Sequence, residues 1–254
     1  MTAWQIALFL LCVVLATCAQ SLTGFAFVLI LLGMGGMLEL APLADLANVA
    51  TVLVLANALV ALPRTERALD VAAFRDFSIG GAVGILAGVL LLGWLSANVV
   101  LGLRLLLGIT VVACAIVVLL DSAALPQRST AWSFRGWGAL AGVLTGLFAT
   151  GGPPLVYQLY RQPMTLKAVR HTLVATLALS SFVRLLVVLP TGQFSLNALK
   201  LTLIAAPLVF AISWWFERRP RTWPRSAVLK LICALLLLTG AGLIIPAVIK
   251  LIGI

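Results

Sequence analysis

The segment from Thr150 to Pro154, with the sequence TGGPP, is the part of this chain whose residue types most directly suggest chemistry. It interrupts an uncharged apolar run over residues 136–160. Two glycines and two prolines cannot continue a regular helix, and hydrocarbon cannot hydrogen-bond the backbone groups that such a break exposes. Because the protein or a ligand must satisfy those groups, the break predicts a binding site inside a bilayer.

The composition requires that bilayer. Of 254 residues, 63% are hydrophobic and only 9% are charged, and uncharged runs of 16 to 27 residues recur along the chain. Since a spanning helix needs roughly 20 apolar residues, we predict an all-α polytopic membrane protein of about 8 to 10 helical segments. Six runs qualify as spans, and they end near Pro63, Trp94, Leu120, Leu189, Phe216 and Ile249.

The first apolar segment resembles the one that contains the TGGPP break. Residues 4–38 carry no charge over 35 residues, and the run is interrupted near Thr23 and Gly24. That length is too great for one relaxed span, so we predict a second broken, re-entrant segment here. The start of the chain has no basic region of the kind that precedes a signal sequence, so we expect this segment to be retained.

Matching short motifs predict two homologous halves. The motif at Thr23-Gly24 recurs at Thr145-Gly146, and the pair Ala50-Thr51 recurs at residues 175–176. The offsets between all matched positions lie between 122 and 127 residues. We therefore predict an N-terminal repeat over residues 1–121, a cytoplasmic linker over 122–132 and a C-terminal repeat over 133–254.

Loop charges predict how the halves are oriented. Four loops are basic, whereas the turns at residues 96–98 and 191–193 contain no basic residue. If basic loops face the cytoplasm, the alternation holds only when residues 136–160 form a hairpin. Equivalent helices would then run in opposite directions, as in an inverted repeat. The basic residues are Arg64, Arg67 and Arg75; Arg128 and Arg135; Arg161, Lys167 and Arg170; and Arg218, Arg219, Arg221 and Arg225.

The two breaks favour binding of a small anion. A half-helix that begins near Gly24 or Gly152 directs unpaired amide donors and a positive dipole end toward the gap. Close helix packing is the alternative explanation for these glycines. The residues that we predict to bind substrate are Gln20, Thr23, Gly24, Thr145, Thr150, Gly151, Gly152, Pro153, Arg170 and Arg184.

Charged residues within the spans add candidates. Arg184 lies inside a predicted span, where it would either clamp an oxyanion or extend its guanidinium to the membrane interface. Arg170 opens the same helix and could receive or release an anion. His171 is a candidate for carrying a coupling proton, with interfacial hydrogen bonding as the alternative. Asp45 is a second proton candidate, and its place at the start of a span also suits a helix N-cap.

Other features favour structural roles or exclude function classes. Gly80, Gly84 and Gly88 lie on one helix face and predict a close helix contact. The four cysteines and single histidine lack metal-binding spacing, so we expect no metal and no cofactor. An intramembrane enzyme is disfavoured because no HExxH or GxSxG motif is present. The net charge of +10 is explained by topology rather than by nucleic acid.

The run from Gly142 to Val156 (GVLTGLFATGGPPLV), followed by Arg170-His171 and Arg184, resembles the sulfite exporter TauE/SafE family, also called toluene sulfonate uptake permeases. The resemblance covers nearly the whole chain. It implies an inner-membrane carrier with two related halves that moves sulfite, thiosulfate or organosulfonates, and it implies that residues 150–154 line the anion path. The first half departs from the family pattern, because Phe25 and Phe27 stand where glycines are usual.

Together these features predict a secondary transporter for a small sulfur-containing anion, working by alternating access in a bacterial plasma membrane. An anion channel or a non-transporting subunit of a larger assembly is the alternative. The expected partners are the anion and the lipid bilayer, without nucleic acid, and a homodimer is one arrangement that the sequence leaves open.

Overall fold

The computed structural model describes residues 2–62, 69–98, 100–119, 125–218 and 225–252. Several positions used in the charge and linker predictions lie outside these ranges. They are Arg64, Arg67, Arg219, Arg221 and residues 122–124 of the predicted linker.

Within the described ranges, all regular secondary structure is helical, which confirms the predicted fold class. The helices are α1 (Ala3–Thr23), α2 (Phe27–Met37), α3 (Leu43–Ala61), α4 (Val71–Asn98), α5 (Val100–Leu119), α6 (Ala131–Phe148), α7 (Gly152–Tyr160), α8 (Leu166–Val188), α9 (Leu196–Arg218) and α10 (Arg225–Ile252).

Helices occupy all six runs that were predicted as spans. Five helices of the described chain (α1, α3, α4, α8 and α9) are long and apolar enough to cross a membrane. The described apolar parts of α5 and α10 are shorter. The architecture is therefore that of a polytopic membrane protein.

One end of the bundle collects basic loops. Arg128 pairs with Asp70 at 2.7 Å, and the Leu125 amide donates to the Arg161 carbonyl at 2.7 Å. The Asp70 amide in turn donates to Thr172 Oγ1, in the second turn of α8, at 3.0 Å. Burial acts to raise the pKa of Asp70, but hydrogen bonds from Arg128 and nearby amides outweigh it and lower that pKa. We call this the basic end, and the positive-inside rule predicts that it faces the cytoplasm.

The opposite end collects the start of α3 and the turn between α8 and α9. Asp45 accepts hydrogen bonds from Ser195 at 2.8 Å and from Asn197 at 3.3 Å, and Asn48 donates to the Gln193 carbonyl at 2.7 Å. Since α3 begins at this end and α8 begins at the basic end, the two helices run in opposite directions.

Helices α6 and α7 form the hairpin that the loop charges predicted. Gln158 donates to Ser133 Oγ at 3.1 Å, and the Ser129 amide donates to Gln162 Oε1 at 2.9 Å. The end of α7 therefore lies beside the start of α6, at the basic end. With only nine residues, α7 rises roughly 13.5 Å. This is less than half of a hydrocarbon core of about 30 Å, so the break lies at membrane depth.

The structure confirms both predicted interruptions and shows at which residues they fall. Gly24 ends α1 and Ala149 ends α6, and both residues have left-handed backbone conformations. They are 125 residues apart, whereas Thr145-Gly146, the sequence match of Thr23-Gly24, lies within α6. The half-helix α2 begins at Phe27 rather than at Gly24. The two Thr-Gly pairs therefore have different backbone roles.

The predicted glycine contact is confirmed between α4 and α6. A Cβ at Gly84 would overlap the Ala139 carbonyl, and a Cβ at Gly142 would overlap the backbone of Gly81. The same holds along the whole interface, where each helix presents its glycines to the other helix's backbone. The interface glycines are Gly80, Gly84 and Gly88 on α4, and Gly138, Gly142 and Gly146 on α6.

Gly142→Ala should therefore force α4 and α6 apart and lower the free energy of unfolding by roughly 1–3 kcal/mol, as overpacking does. Gly136→Ala on the same helix is the matched control, because a Cβ at Gly136 meets nothing within 4 Å. We expect the control to keep or slightly raise stability, since alanine favours helix formation. Thermal unfolding in detergent measures both, and equal melting temperatures for the two variants would contradict the contact.

Candidate functional site

The two chain breaks lie against each other in the interior of the bundle. A Cβ at Gly152, the first residue of α7, would lie 3.0 Å from Phe25 Cβ and 3.4 Å from the Phe25 carbonyl oxygen. Phe25 belongs to the short connection between α1 and α2. Glycine at position 152 thus permits the close approach of the two re-entrant segments, and the halves meet at their breaks.

In the first break, a side chain bonds the backbone groups that the interruption frees. The Gly24 amide donates to the Gln20 carbonyl at 2.7 Å and so ends α1. Gly24 has a left-handed backbone conformation, which favours glycine. Gln20 Nε2 donates to the Gly24 carbonyl at 3.2 Å, while Gln20 Oε1 accepts from the Phe27 amide at 3.0 Å. Gln20 therefore bridges the end of α1 and the start of α2.

In the second break, the backbone turns at a non-glycine residue. Ala149 has φ of 58°, and its amide donates to the Thr145 carbonyl at 2.7 Å. The Thr150 amide donates to the Leu144 carbonyl at 3.3 Å, which completes the helix end. Then α7 begins at Gly152 with Pro153 next, a proline-compatible position in the first helical turn.

In neither half-helix does the side chain of the N-cap residue bond a backbone amide, and amides stay open at both helix starts apart from the Phe27 amide, which Gln20 bonds. Within the described chain, the N–H groups of Gly151 and Gly152 have no acceptor. Pro153 and Pro154 contribute no N–H at all. The partial positive charge at the start of α7 is therefore carried by a few backbone N–H groups beside the contact with Phe25.

A closed central cavity lies at this junction. Its volume is about 10 Å³, room for roughly one water molecule. The described part of the chain contributes no carboxylate to its lining. The lining residues are Gln20, Phe25, Val28, Val54, Thr145, Ala149, Thr150, Gly152, Leu177 and Ser181.

Two hydroxyl groups of this cavity have no hydrogen-bond partner among the described residues, and they belong to Thr150 and Ser181. Thr145 differs, because its hydroxyl donates to the Ala141 carbonyl at 2.8 Å. Thr23 likewise donates to the Ala19 carbonyl at 2.7 Å and lines neither this cavity nor the next. The side-chain hydroxyl groups that remain available as donors are therefore those of Thr150 and Ser181.

A second cavity lies toward the basic end, and we call it the basic-end cavity. It contains the predicted site residues Gly24 and Arg170, and it shares Gln20 with the central cavity. The residues that line it are Gln20, Ser21, Gly24, Asn57, Ala61, Arg170, Val174 and Ser213. Gln20 is thus a lining residue of both cavities.

Arg184 is fully buried, so its side chain does not extend to the interface. Its Nη1 donates to Thr51 Oγ1 at 2.6 Å and to Asn48 Oδ1 at 3.0 Å, and its Nε donates to the Gly146 carbonyl at 3.2 Å. That carbonyl is among the last four of α6, which lack intrahelical partners. Arg184 therefore caps α6 and ties it to α3. It lines neither cavity, although Nη2 has no partner within the described chain.

The two proton candidates lie outside both cavities. His171 Nδ1 is buried without a partner among the described residues. Asp45 accepts hydrogen bonds from Ser195 and Asn197 at the opposite end. The predicted N-cap role of Asp45 is wrong, because Pro42 is the N-cap of α3 and Asp45 lies within the first turn of the helix.

Of the predicted site residues, the structure brings together Gln20, Gly24, Thr145, Thr150, Gly152 and Arg170 around the two cavities. Gly151 and Pro153 flank them in the chain. The sequence prediction missed Ser181, Asn57 and Ser213. In the sequence, each of them is only a polar residue within an apolar run. That pattern does not indicate which part of the protein the side chain contacts.

Of the two phenylalanines that depart from the family pattern, Phe25 lines the central cavity, whereas Phe27 is fully buried and lines neither cavity.

Comparison with known proteins shows which family this chain resembles. The chain matches the model of the family described as Sulfite exporter TauE/SafE over residues 9–243. It is 33% identical over 229 residues to a protein of Cupriavidus necator named "Probable sulfite/organosulfonate exporter TauE", and the match covers 90% of each chain. No solved structure gives a significant match. The family match includes both breaks and the residues that line both cavities.

Arg184→Met removes the guanidinium and keeps much of its volume. We expect a clear loss of thermal stability, because three acceptors on α3 and α6 lose their donor and each unsatisfied buried group costs about 1–3 kcal/mol. Arg184→Lys should not restore stability, since one ammonium cannot reproduce the planar guanidinium that reaches both helices.

Arg128→Met is the control, because its pair with Asp70 is partly exposed and such pairs contribute about 0–1 kcal/mol. If Arg184→Met instead kept its melting temperature and lost only stabilisation by added anions, Arg184 would be a substrate clamp rather than a helix cap.

Proposed function

The chain belongs to the sulfite exporter TauE/SafE family, and from this premise we propose that it exports a small sulfur oxyanion or organosulfonate by alternating access. The observation that carries this proposal is the central cavity, where two broken segments meet and bring unpaired amide and hydroxyl donors together without a carboxylate. Such an environment favours an oxyanion with negative oxygens in several directions.

Family membership already establishes the coarser function. The protein is a multi-pass membrane transporter of the bacterial plasma membrane, and the family is one of transporters rather than enzymes. The family resemblance and membrane location predicted from sequence are thereby confirmed. What remains a proposal is the substrate, the residues that bind it and the mechanism of transport.

We assign roles to the site residues from their available groups. The amides of Gly151 and Gly152 and the hydroxyl groups of Thr150 and Ser181 would donate to the anion. Gln20 would hold the first break in shape, as Thr145 and Gly24 hold the ends of α6 and α1. Pro153 would fix the first turn of α7, Thr23 would support α1, and Arg184 would position α6. Arg170 would attract the anion from the basic end.

Two observations support alternating access by inverted halves. Helix α3 runs opposite to α8, and these helices occupy equivalent places when the breaks are aligned at 125 residues. The packing repeats as well, since α4 packs on α6 as α9 packs on α1, and α3 packs on α9 as α8 packs on α4. These pairings favour the division into residues 1–121 and 133–254 around the linker 122–132.

The central cavity also has to change size during transport. Its volume of about 10 Å³ holds roughly one water molecule, whereas sulfite has four heavy atoms. The described state is therefore closed around the site, and the anion enters when the halves move apart. A channel would instead keep a continuous path open. Saturable counterflow by the purified protein separates these two mechanisms, and its absence would favour a channel or a non-transporting subunit.

Ser181→Ala tests the central site. It removes a hydroxyl that bonds no other described group, so the fold should be kept while sulfite binding weakens about 10-fold or more, as expected for a hydrogen bond to a charged group. Sulfite-dependent stabilisation in detergent and counterflow in proteoliposomes are the measurements. Ser180→Ala is the matched control, because this neighbouring serine is buried and lines neither cavity.

If sulfite, thiosulfate and sulfoacetate stabilise the wild-type protein no more than chloride at equal ionic strength, the proposed substrate class is wrong. If they stabilise wild type and Ser181→Ala equally, the class stands and the assignment of Ser181 is wrong.

For a coupling proton, we favour His171 over Asp45. The Nδ1 atom of His171 has no partner within the described chain, whereas both carboxylate oxygens of Asp45 already accept hydrogen bonds. His171→Gln should abolish the response of sulfite flux to an imposed pH gradient while leaving counterflow, which needs no gradient, intact. Flux in the wild-type protein that ignores the gradient would contradict proton coupling altogether.

A further inference from the structure

We propose that the basic-end cavity is a second oxyanion subsite, organised by Ser213, Asn57 and Arg170, in which the anion is held before it passes Gln20 into the central cavity. This rests on the proposed function, because it concerns the path of the same anion. The family match and the sequence motifs assign no role to Ser213 or Asn57.

The first support is the polarity of the cavity at depth in an apolar bundle. Asn57 and Ser213 are buried at 6% and 1% exposure, and they join α3 to α9 through a hydrogen bond of 2.7 Å from Asn57 Nδ2 to Ser213 Oγ. Polar side chains at this depth are costly unless they pair or line a polar space. Here they do both, since each also lines the cavity.

The second support is the direction of the Ser213 proton. Its oxygen accepts from Asn57, and the described residues offer no acceptor for its own O–H. Other buried hydroxyls in this bundle donate to a carbonyl four residues earlier, and examples are Thr17, Thr51, Thr202 and Thr239. Because Ser213 lacks that bond, its proton can be donated into the cavity. Accepting from Asn57 makes it a better donor.

The third support is charge. Arg170 lines the same cavity, and none of the described lining residues is acidic. A cation with neutral donors suits a sulfur oxyanion, whose oxygens accept several hydrogen bonds. The cavity has a volume of about 10 Å³ in the closed state, near the size of one water molecule. We therefore assign occupancy to the state that is open at the basic end.

The position of Gln20 connects this subsite to the central cavity. Gln20 lines both spaces, with its amide bonded across the first break. An anion that leaves the basic-end subsite must pass this side chain to reach Thr150 and Ser181. With two successive weak sites, the anion crosses a shorter distance between one set of hydrogen-bond donors and the next.

The subsite predicts an effect that depends on the face from which sulfite enters. In inside-out membrane vesicles, where the cytoplasmic face is outside, Ser213→Ala should raise the concentration for half-maximal uptake of radiolabelled sulfite about 10-fold. In right-side-out vesicles, uptake should keep its wild-type concentration dependence, because entry from that face reaches the central cavity first. Arg170→Gln should show the same one-sided effect.

Controls separate this inference from the proposed function. Ser180→Ala should match wild type from both faces, and Ser181→Ala should weaken uptake from both. An unchanged Ser213→Ala from both faces overturns the subsite and leaves the proposed function standing. An equal loss from both faces overturns the subsite by assigning Ser213 to the central site. If wild-type vesicles show no saturable sulfite uptake from either face, the proposed function fails, and the subsite fails with it.

Discussion

The structure depends on one constraint, which is that backbone groups inside a bilayer must be bonded by the protein itself. A continuous helix meets it along its length, but the connections after α1 and α6 cannot. Side chains on neighbouring turns or helices bond backbone groups that these interruptions expose. Gln20 bonds one carbonyl and one amide across the first break, and Arg184 bonds the Gly146 carbonyl near the second. The groups that stay open then define where a ligand can bind.

The backbone amides at the two breaks are bonded to different extents. This difference bears on which break would receive the proposed anion. At α2 the first helical amide is taken by Gln20. At α7 the amides of Gly151 and Gly152 are left open, while the following prolines remove the donors that would otherwise need partners. On the other side of the second break, Arg184 neutralises the negative end of α6. The net effect is a positive, partly unbonded α7 terminus facing the central cavity, supported by a rigid α4–α6 glycine interface.

Much of this could be predicted from sequence because hydropathy and helix-breaking residues are local properties. The spans, both breaks and the α6–α7 hairpin follow from run lengths, glycine, proline and loop charge. The register of the repeat could not be predicted as well, because Thr-Gly pairs recur by composition while the left-handed residue of the second break is Ala149. The partners of Arg184 and the open hydroxyls of Ser181 and Ser213 depend on which helices pack together. A periodic apolar run carries no such information.

An alignment at 125 residues also pairs Asp45 with Arg170, residues of opposite charge near the start of equivalent helices. Because α3 and α8 run in opposite directions, the carboxylate lies at one end of the bundle and the guanidinium at the other. The field along the proposed path is therefore asymmetric: an anion would be attracted at the basic end and would meet a negative charge near the other. Such asymmetry sets relative affinities and capture rates at the two faces. It cannot by itself drive net export, since an equilibrium carrier shifts no gradient without a coupled source of free energy.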